Sequence, residues 1–149
     1  MRYEEVWRKT LNPDEKIEYE FSIGDAYVKK SLIYGIILSL LLLPLYGLGV
    51  LVFFWVLFYF GFYIKRANAY AFTNKRVVVH KGWLSTHTIS VDYDKITDVS
   101  VKEPFLDRIM FKTGSLVINT AGTHLKEVIL NHIESPYETK KKLDQLRST

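Results

Sequence analysis

The chain has 149 residues, 48% of them hydrophobic, with 20 Lys and Arg against 16 Asp and Glu for a formal net charge of +4. It contains no cysteine, which excludes disulfides, thiolate metal centres and cysteine nucleophiles. These averages hide an uneven distribution: from Ser31 to Ile64 there is no Asp, Glu, Lys, Arg or His, so every charge lies in the flanks.

Residues 1–28 are polar and lack the early apolar stretch of a secretory signal. Leu11-Asn12-Pro13-Asp14-Glu15 reads as a turn. Lys16–Ser22 sets Ile17, Tyr19 and Phe21 against Lys16, Glu18 and Glu20, the period of two of a half-buried strand. A cytoplasmic segment with one strand is expected here.

Residues 29–66 are expected to form a two-helix transmembrane hairpin. The uncharged run of 34 residues would be roughly 51 Å long as one helix, too long for a single crossing. Pro44-Leu45-Tyr46-Gly47-Leu48-Gly49 breaks it into Ser31–Leu45 and Gly47–Ile64. Lys29 and Lys30 precede the run and Lys65 and Arg66 follow it, whereas the central turn is uncharged. Basic flanks stay cytoplasmic, so these four residues are expected to set the topology of a multi-pass protein of the cell membrane, with both termini cytoplasmic. A re-entrant hairpin that dips in without crossing is the alternative.

Residues 67–149 carry evenly spaced short strands: Ala69–Thr73, Arg76–Lys81 after a tight Asn74-Lys75 turn, His87–Asp92, Thr97–Glu103, Ser115–Thr120 and one near Lys126–Leu130. This spacing predicts an antiparallel meander closing into a barrel or sandwich. Ser135-Pro136-Tyr137-Glu138 reads as a capping box opening a C-terminal helix. Its packing face is Thr139, Leu143 and Leu146.

Tyr70-Ala71-Phe72-Thr73-Asn74-Lys75-Arg76-Val77, then Gly82-Trp83-Leu84, Asp94-Lys95-Ile96-Thr97-Asp98-Val99 and Arg108-Ile109-Met110-Phe111-Lys112-Thr113-Gly114-Ser115 follow one another in a familiar order. Over about Ala67 to Leu146 the chain resembles the bacterial and archaeal pleckstrin-homology-like domain of small membrane-flanked proteins. The resemblance implies a bent β-barrel of about seven strands capped by a C-terminal α-helix, with binding or assembly rather than catalysis as its role. Phosphoinositide-binding relatives carry a longer basic loop between the first two strands. Here Asn74-Lys75 is too tight to wrap a headgroup, and Lys75 and Arg76 are expected to be solvated turn charges.

Counting strand reversals from Lys65-Arg66 puts two loops back at the bilayer. Trp83 and Leu84 form the tip of one, and Phe105, Arg108 and Lys112 lie in the other, a mixture of apolar anchors and cations suited to an anionic interface. The competing expectation is that Phe105, Leu106, Ile109 and Phe111 plug the barrel. His80 and His87 could face each other across the Gly82 hairpin, but zinc needs three or four ligands and no third has a defined spacing. Asp92-Tyr93-Asp94 lacks the glycine and distal glutamate of a calcium loop. Ser85, His87 and Asp92 are triad types without a nucleophile elbow. No metal, cofactor or catalytic residue is expected, and no nucleic-acid motif appears. The expected partners are the lipid bilayer and a protein partner or second copy. The expected role is a membrane-anchored, non-enzymatic binding or assembly module, with a lipid-headgroup sensor or an accessory subunit of a membrane enzyme or transporter as alternatives.

Overall fold

A computed structural model describes residues 3–45, 47–83, 85–121 and 127–148. The turn Asn74-Lys75 joins β2 (Asn68–Thr73) to β3 (Arg76–Lys81), and Gly82, at φ 98°, helps return the chain into β4 (His87–Asp92). A Cβ at Gly82 would sit on the Ser85 carbonyl, so only glycine fits that reversal. The early strand β1 (Ile17–Phe21) pairs antiparallel with β2, completing a four-stranded sheet in the order β1-β2-β3-β4. A 3₁₀ turn, Tyr93–Lys95, leads into a second sheet of β5 (Ile96–Lys102), β6 (Thr113–Thr120) and β7 (Glu127–Glu134).

Strand alternation feeds one main core. Tyr70, Phe72, Val77 and Val79 from the first sheet meet Val99, Leu116, Ile118 and Leu130 from the second. Val101 is only half-buried against that cluster. The other face of the first sheet, Ala69, Ala71 and Val78, is covered by Tyr3 and Trp7, which flank and lie on α1 (Glu4–Thr10). Trp7 also donates its indole N–H to Glu20 Oε1 at 3.1 Å.

The expected closed barrel is not formed. The two sheets stay separate, with no ladder joining β4 to β5 or β7 to β1 among the described residues. The final helix α4 (Pro136–Ser148) occupies an opening between them, burying Leu143 in the core. Lys142 lies over the Tyr19 ring of β1, and Arg147 Nη2 donates to the Ile96 carbonyl of β5 at 2.9 Å. A helix spanning a sheet gap removes the need for strand closure. The capping box is also revised: Ser135 has φ 55°, and Glu138 accepts from Lys141 at 2.8 Å.

Between β1 and β2 the chain forms α2 (Asp25–Leu41) and α3 (Leu48–Arg66), an antiparallel pair whose second member is π-helical over Leu57–Tyr63. The expected two transmembrane helices are corrected here. Only Leu48–Arg66, among the described residues, is long and apolar enough to cross a membrane. Helix α2 begins at Asp25, carries Lys29 and Lys30, and ends at Leu41 rather than Leu45. Its uncharged part therefore reaches only about 17 Å at 1.5 Å per residue. Small residues let the pair approach closely. A Cβ on Gly35 would lie 2.5 Å from Val56 Cγ1, and one on Gly49 would lie 2.3 Å from the Ser39 carbonyl. Tyr46, in the predicted turn, lies outside the described residues, as do Gly122 to Lys126 before β7.

Candidate functional site

The foot of the helical pair is where the three parts of the molecule meet. Asp25, in the first turn of α2, pairs with Lys65 near the end of α3, so both helix ends sit together. The Tyr3 hydroxyl donates to the Lys65 carbonyl. The Gly24 N–H donates to the His132 carbonyl of β7 at 2.7 Å. Tyr27 is stacked on His132, 3.8 Å between ring centroids, and tilted against Phe111 at 4.9 Å. Burial holds the His132 imidazole below its ordinary range, with Asp107 opposing that shift.

The two loops singled out from the sequence both reach this foot. Lys30 Nζ donates to the Met110 carbonyl, and Tyr34 meets Phe111 edge to face at 6.3 Å. These contacts seat the 104–111 segment, including its π-helical Asp107–Phe111, beside α2. Trp83 packs edge to face on Phe62 of α3 at 5.4 Å. Arg66 lies 3.8 Å from the centroid of the same Phe62 ring. Phe105 is 74% exposed, and Leu106 and Ile109 are exposed beside it, so those three do not plug the sheets. Phe111 is the exception, half-buried between Tyr27 and Tyr34. Arg108 and Lys112 are exposed, and with Pro136 and Tyr137 they line a shallow cleft at the start of α4. Lys29 is exposed at the same foot; Leu84 lies outside the described residues.

Above the foot the helical pair presents an apolar surface. Leu51 is 69% exposed, Phe54 65% and Trp55 61%, and Ile33, Ile37, Leu40 and Phe58 are exposed with them. Monomeric proteins in water rarely leave a contiguous apolar surface of this kind bare.

Sequence reasoning missed a buried ionic network at the β2–β3 turn. The Glu15 side chain is 0% exposed and accepts from Arg76 Nε and Nη2, each at 2.9 Å. It also accepts from Thr73 Oγ1 at 2.7 Å and from the Asn12 N–H at 3.2 Å. Burial pushes the Glu15 carboxyl up, but hydrogen bonds from Arg76, Thr73 and Asn12 together hold it below its usual range. Asn74 closes the turn, its side chain accepting from Lys16 N–H at 3.0 Å and its own N–H donating to the Lys16 carbonyl. Lys75 pairs with Asp14. The expectation of solvated charges therefore fails for Arg76. Its guanidinium is occupied by a fixed carboxylate, the arrangement with the strongest geometric preference for such a pair.

The histidine pair is also separated. His80 lies opposite Thr88 and His87 opposite Lys81, so alternation puts the two rings on opposite faces of the sheet. His80 is buried, with Nδ1 2.9 Å from Thr88 Oγ1, while His87 is exposed. Asp92 pairs with Lys95 at 3.2 Å, away from any triad geometry. Among the described residues, no three His, Asp or Glu side chains converge on a possible metal position.

Comparison with known proteins agrees with this geometry. The family model described as "Bacterial PH domain" matches residues 24–149. Among solved structures, a pleckstrin homology domain from Shewanella amazonensis SB2B superposes with a TM-score of 0.53 at 10% identity, covering 97% of this chain and 95% of that one. A duf1696 family protein with a pleckstrin-homology domain from Shewanella loihica PV-4 gives 0.52 at 11% identity, covering 96% and 91%. At these identities the two structures share the fold alone. No match is found among curated proteins. The match to the family model spans most of the chain, and the chain belongs to the bacterial PH domain family.

Proposed function

We propose that this PH-like domain is a non-enzymatic binding or assembly module held at the cytoplasmic face of a membrane. Domains of this family can mediate binding or assembly. The observation that carries the anchoring is the bare flank of α3, where Leu51, Phe54 and Trp55 are each more than 60% exposed. Each large apolar side chain left in water forgoes about 1.5–3 kcal/mol of transfer free energy, and lipid supplies the missing environment. The foot of the pair fits the boundary of such a layer, with Trp83, Phe105, Leu106 and Ile109 exposed beside Arg66, Arg108 and Lys112. Cations and aromatic rings are the residues that favour the headgroup level. Lys29, Lys30, Lys65 and Arg66 crowd the same end, which favours the cytoplasmic side. A module held there meets protein partners at raised effective concentration.

The test is flotation of the full chain with phosphatidylcholine vesicles. The wild-type chain is expected to float and to resist alkaline extraction. Replacing Leu51, Phe54 and Trp55 together with Ser is expected to abolish flotation. Wild-type protein that stays at the bottom of the gradient refutes the anchoring.

A further inference from the structure

A cleft of about 450 Å³ opens at the foot of α3, between the start of α1 and the β3–β4 turn. Val6, Gly61, Phe62 and Trp83 form its apolar side, and Lys65 and Arg66 its cationic end. Three features indicate its occupant. Apart from its chain neighbours and the helix's own backbone, nothing lies within 4 Å of where a Cβ on Gly61 would sit, so open space stands beside the helix there. Lys65 is engaged by Asp25, whereas Arg66 makes no ion pair among the described residues and is oriented by its stacking on Phe62. Trp83 meets the same Phe62 edge to face, giving an aromatic wall directly beside the exposed guanidinium. The cleft is thus amphipathic along its length, and its available charge is a guanidinium lying over an aromatic ring, a cation of the kind that favours phosphate.

We propose that this cleft holds one anionic phospholipid, its phosphate on Arg66 and the upper part of an acyl chain beside Gly61. The proposal rests on the bilayer placement above and names the lipid contact that placement brings within reach. It lies on the α1–α3 side, distinct from the β2–β3 turn, whose guanidinium is already taken by Glu15. Glu5 on the cleft rim is exposed and sets the opposing charge.

The full chain is reconstituted in vesicles of equal parts phosphatidylcholine and phosphatidylglycerol, extracted in mild detergent, and its retained lipid counted by native mass spectrometry. Phosphatidylglycerol is expected to be retained about tenfold over phosphatidylcholine: both offer the same phosphate, but the choline cation of phosphatidylcholine is repelled at the Lys65–Arg66 end of the cleft. Arg66→Gln is expected to bring the ratio near one, and Glu5→Gln to raise it. Gly61→Leu is expected to lower retention of both lipids. Equal retention by the wild-type chain overturns the proposal, as does an unchanged ratio in Arg66→Gln. Loss of the preference in excess inorganic phosphate also overturns it, because it would mark a site for any small anion. Failure to float with pure phosphatidylcholine overturns the anchoring and this proposal together; flotation without lipid preference overturns this proposal alone.

Discussion

Arg76→Met isolates the contribution of the ionic network at the β2–β3 turn. The substitution removes both 2.9 Å bonds to Glu15 and leaves a carboxylate of 0% side-chain exposure with only Thr73 and the Asn12 N–H. Breaking one side of a buried pair costs about 3–5 kcal/mol. The Arg76 side chain keeps 20% exposure, so the lower figure, about 3 kcal/mol, applies. For a chain of this size that is a fall of roughly 6–12 °C in Tm. Circular dichroism melts of the full chain in mild detergent would measure it. The double variant Glu15→Leu, Arg76→Met removes both charges together and is expected to recover most of the loss. The pH dependence has a definite sign. The folded Glu15 carboxyl titrates below its ordinary 4.5, so its stabilisation is complete above that value and disappears as pH falls through the folded pKa. The wild-type chain is thus expected to lose Tm more steeply than the double variant below about pH 4.5. An Arg76→Met melt within 2 °C of wild type, measured near neutral pH, refutes the assignment of a tight pair.

Gly35→Ala would place a methyl 2.5 Å from Val56 Cγ1 and is expected to cost about 1–3 kcal/mol by forcing α2 and α3 apart; a Tm equal to wild type would show that the pair packs more loosely. Leu143→Ala opens a void under α4 where Leu143 is 0% exposed, for about 2–5 kcal/mol, read from the urea midpoint of the same fold. Burial holds His80 below its ordinary 6.5, so the unfolded chain takes up the proton first and stability falls as pH drops below 6.5. His80→Gln should flatten the Tm profile between pH 5 and 7, with His132 supplying the slope that remains, since its imidazole is shifted in the same direction.

Much of the β architecture could be read from alternation. Arg76–Lys81 and His87–Asp92 appear with the boundaries that turn residues and period two suggest, because each strand has one face on a core. Thr139, Leu143 and Leu146 mark the inner face of α4 for the corresponding helical reason. What alternation does not encode is which edges pair. Barrel closure depends on whether β1 meets β7, and α4 takes the intervening space instead. The α2 length was obscured because Leu41 to Leu45 is as apolar as the helix before it, so hydropathy gave no sign of where the helix stops. Helix α1 was missed although Tyr3 and Trp7 are four apart, a spacing that becomes persuasive only once Ala69 and Ala71 show a sheet face needing cover. The Glu15–Arg76 pair joins residues 61 apart in sequence, and nothing local connects them.

Strand β1 leaves the ribosome before the apolar helices and its partner β2 after them. Ile17 cannot find Thr73, nor Phe21 find Tyr70, until α2 and α3 have returned both chain ends to one place. That closure makes the β1–β2 pairing a non-local contact of the kind that forms slowly. A chain whose apolar segment is misplaced leaves β1 stranded and exposes the edge of β2, a surface open to aggregation and to proteolytic clearance. Return of the helical pair and completion of the first sheet are thus tied together through the β1–β2 ladder.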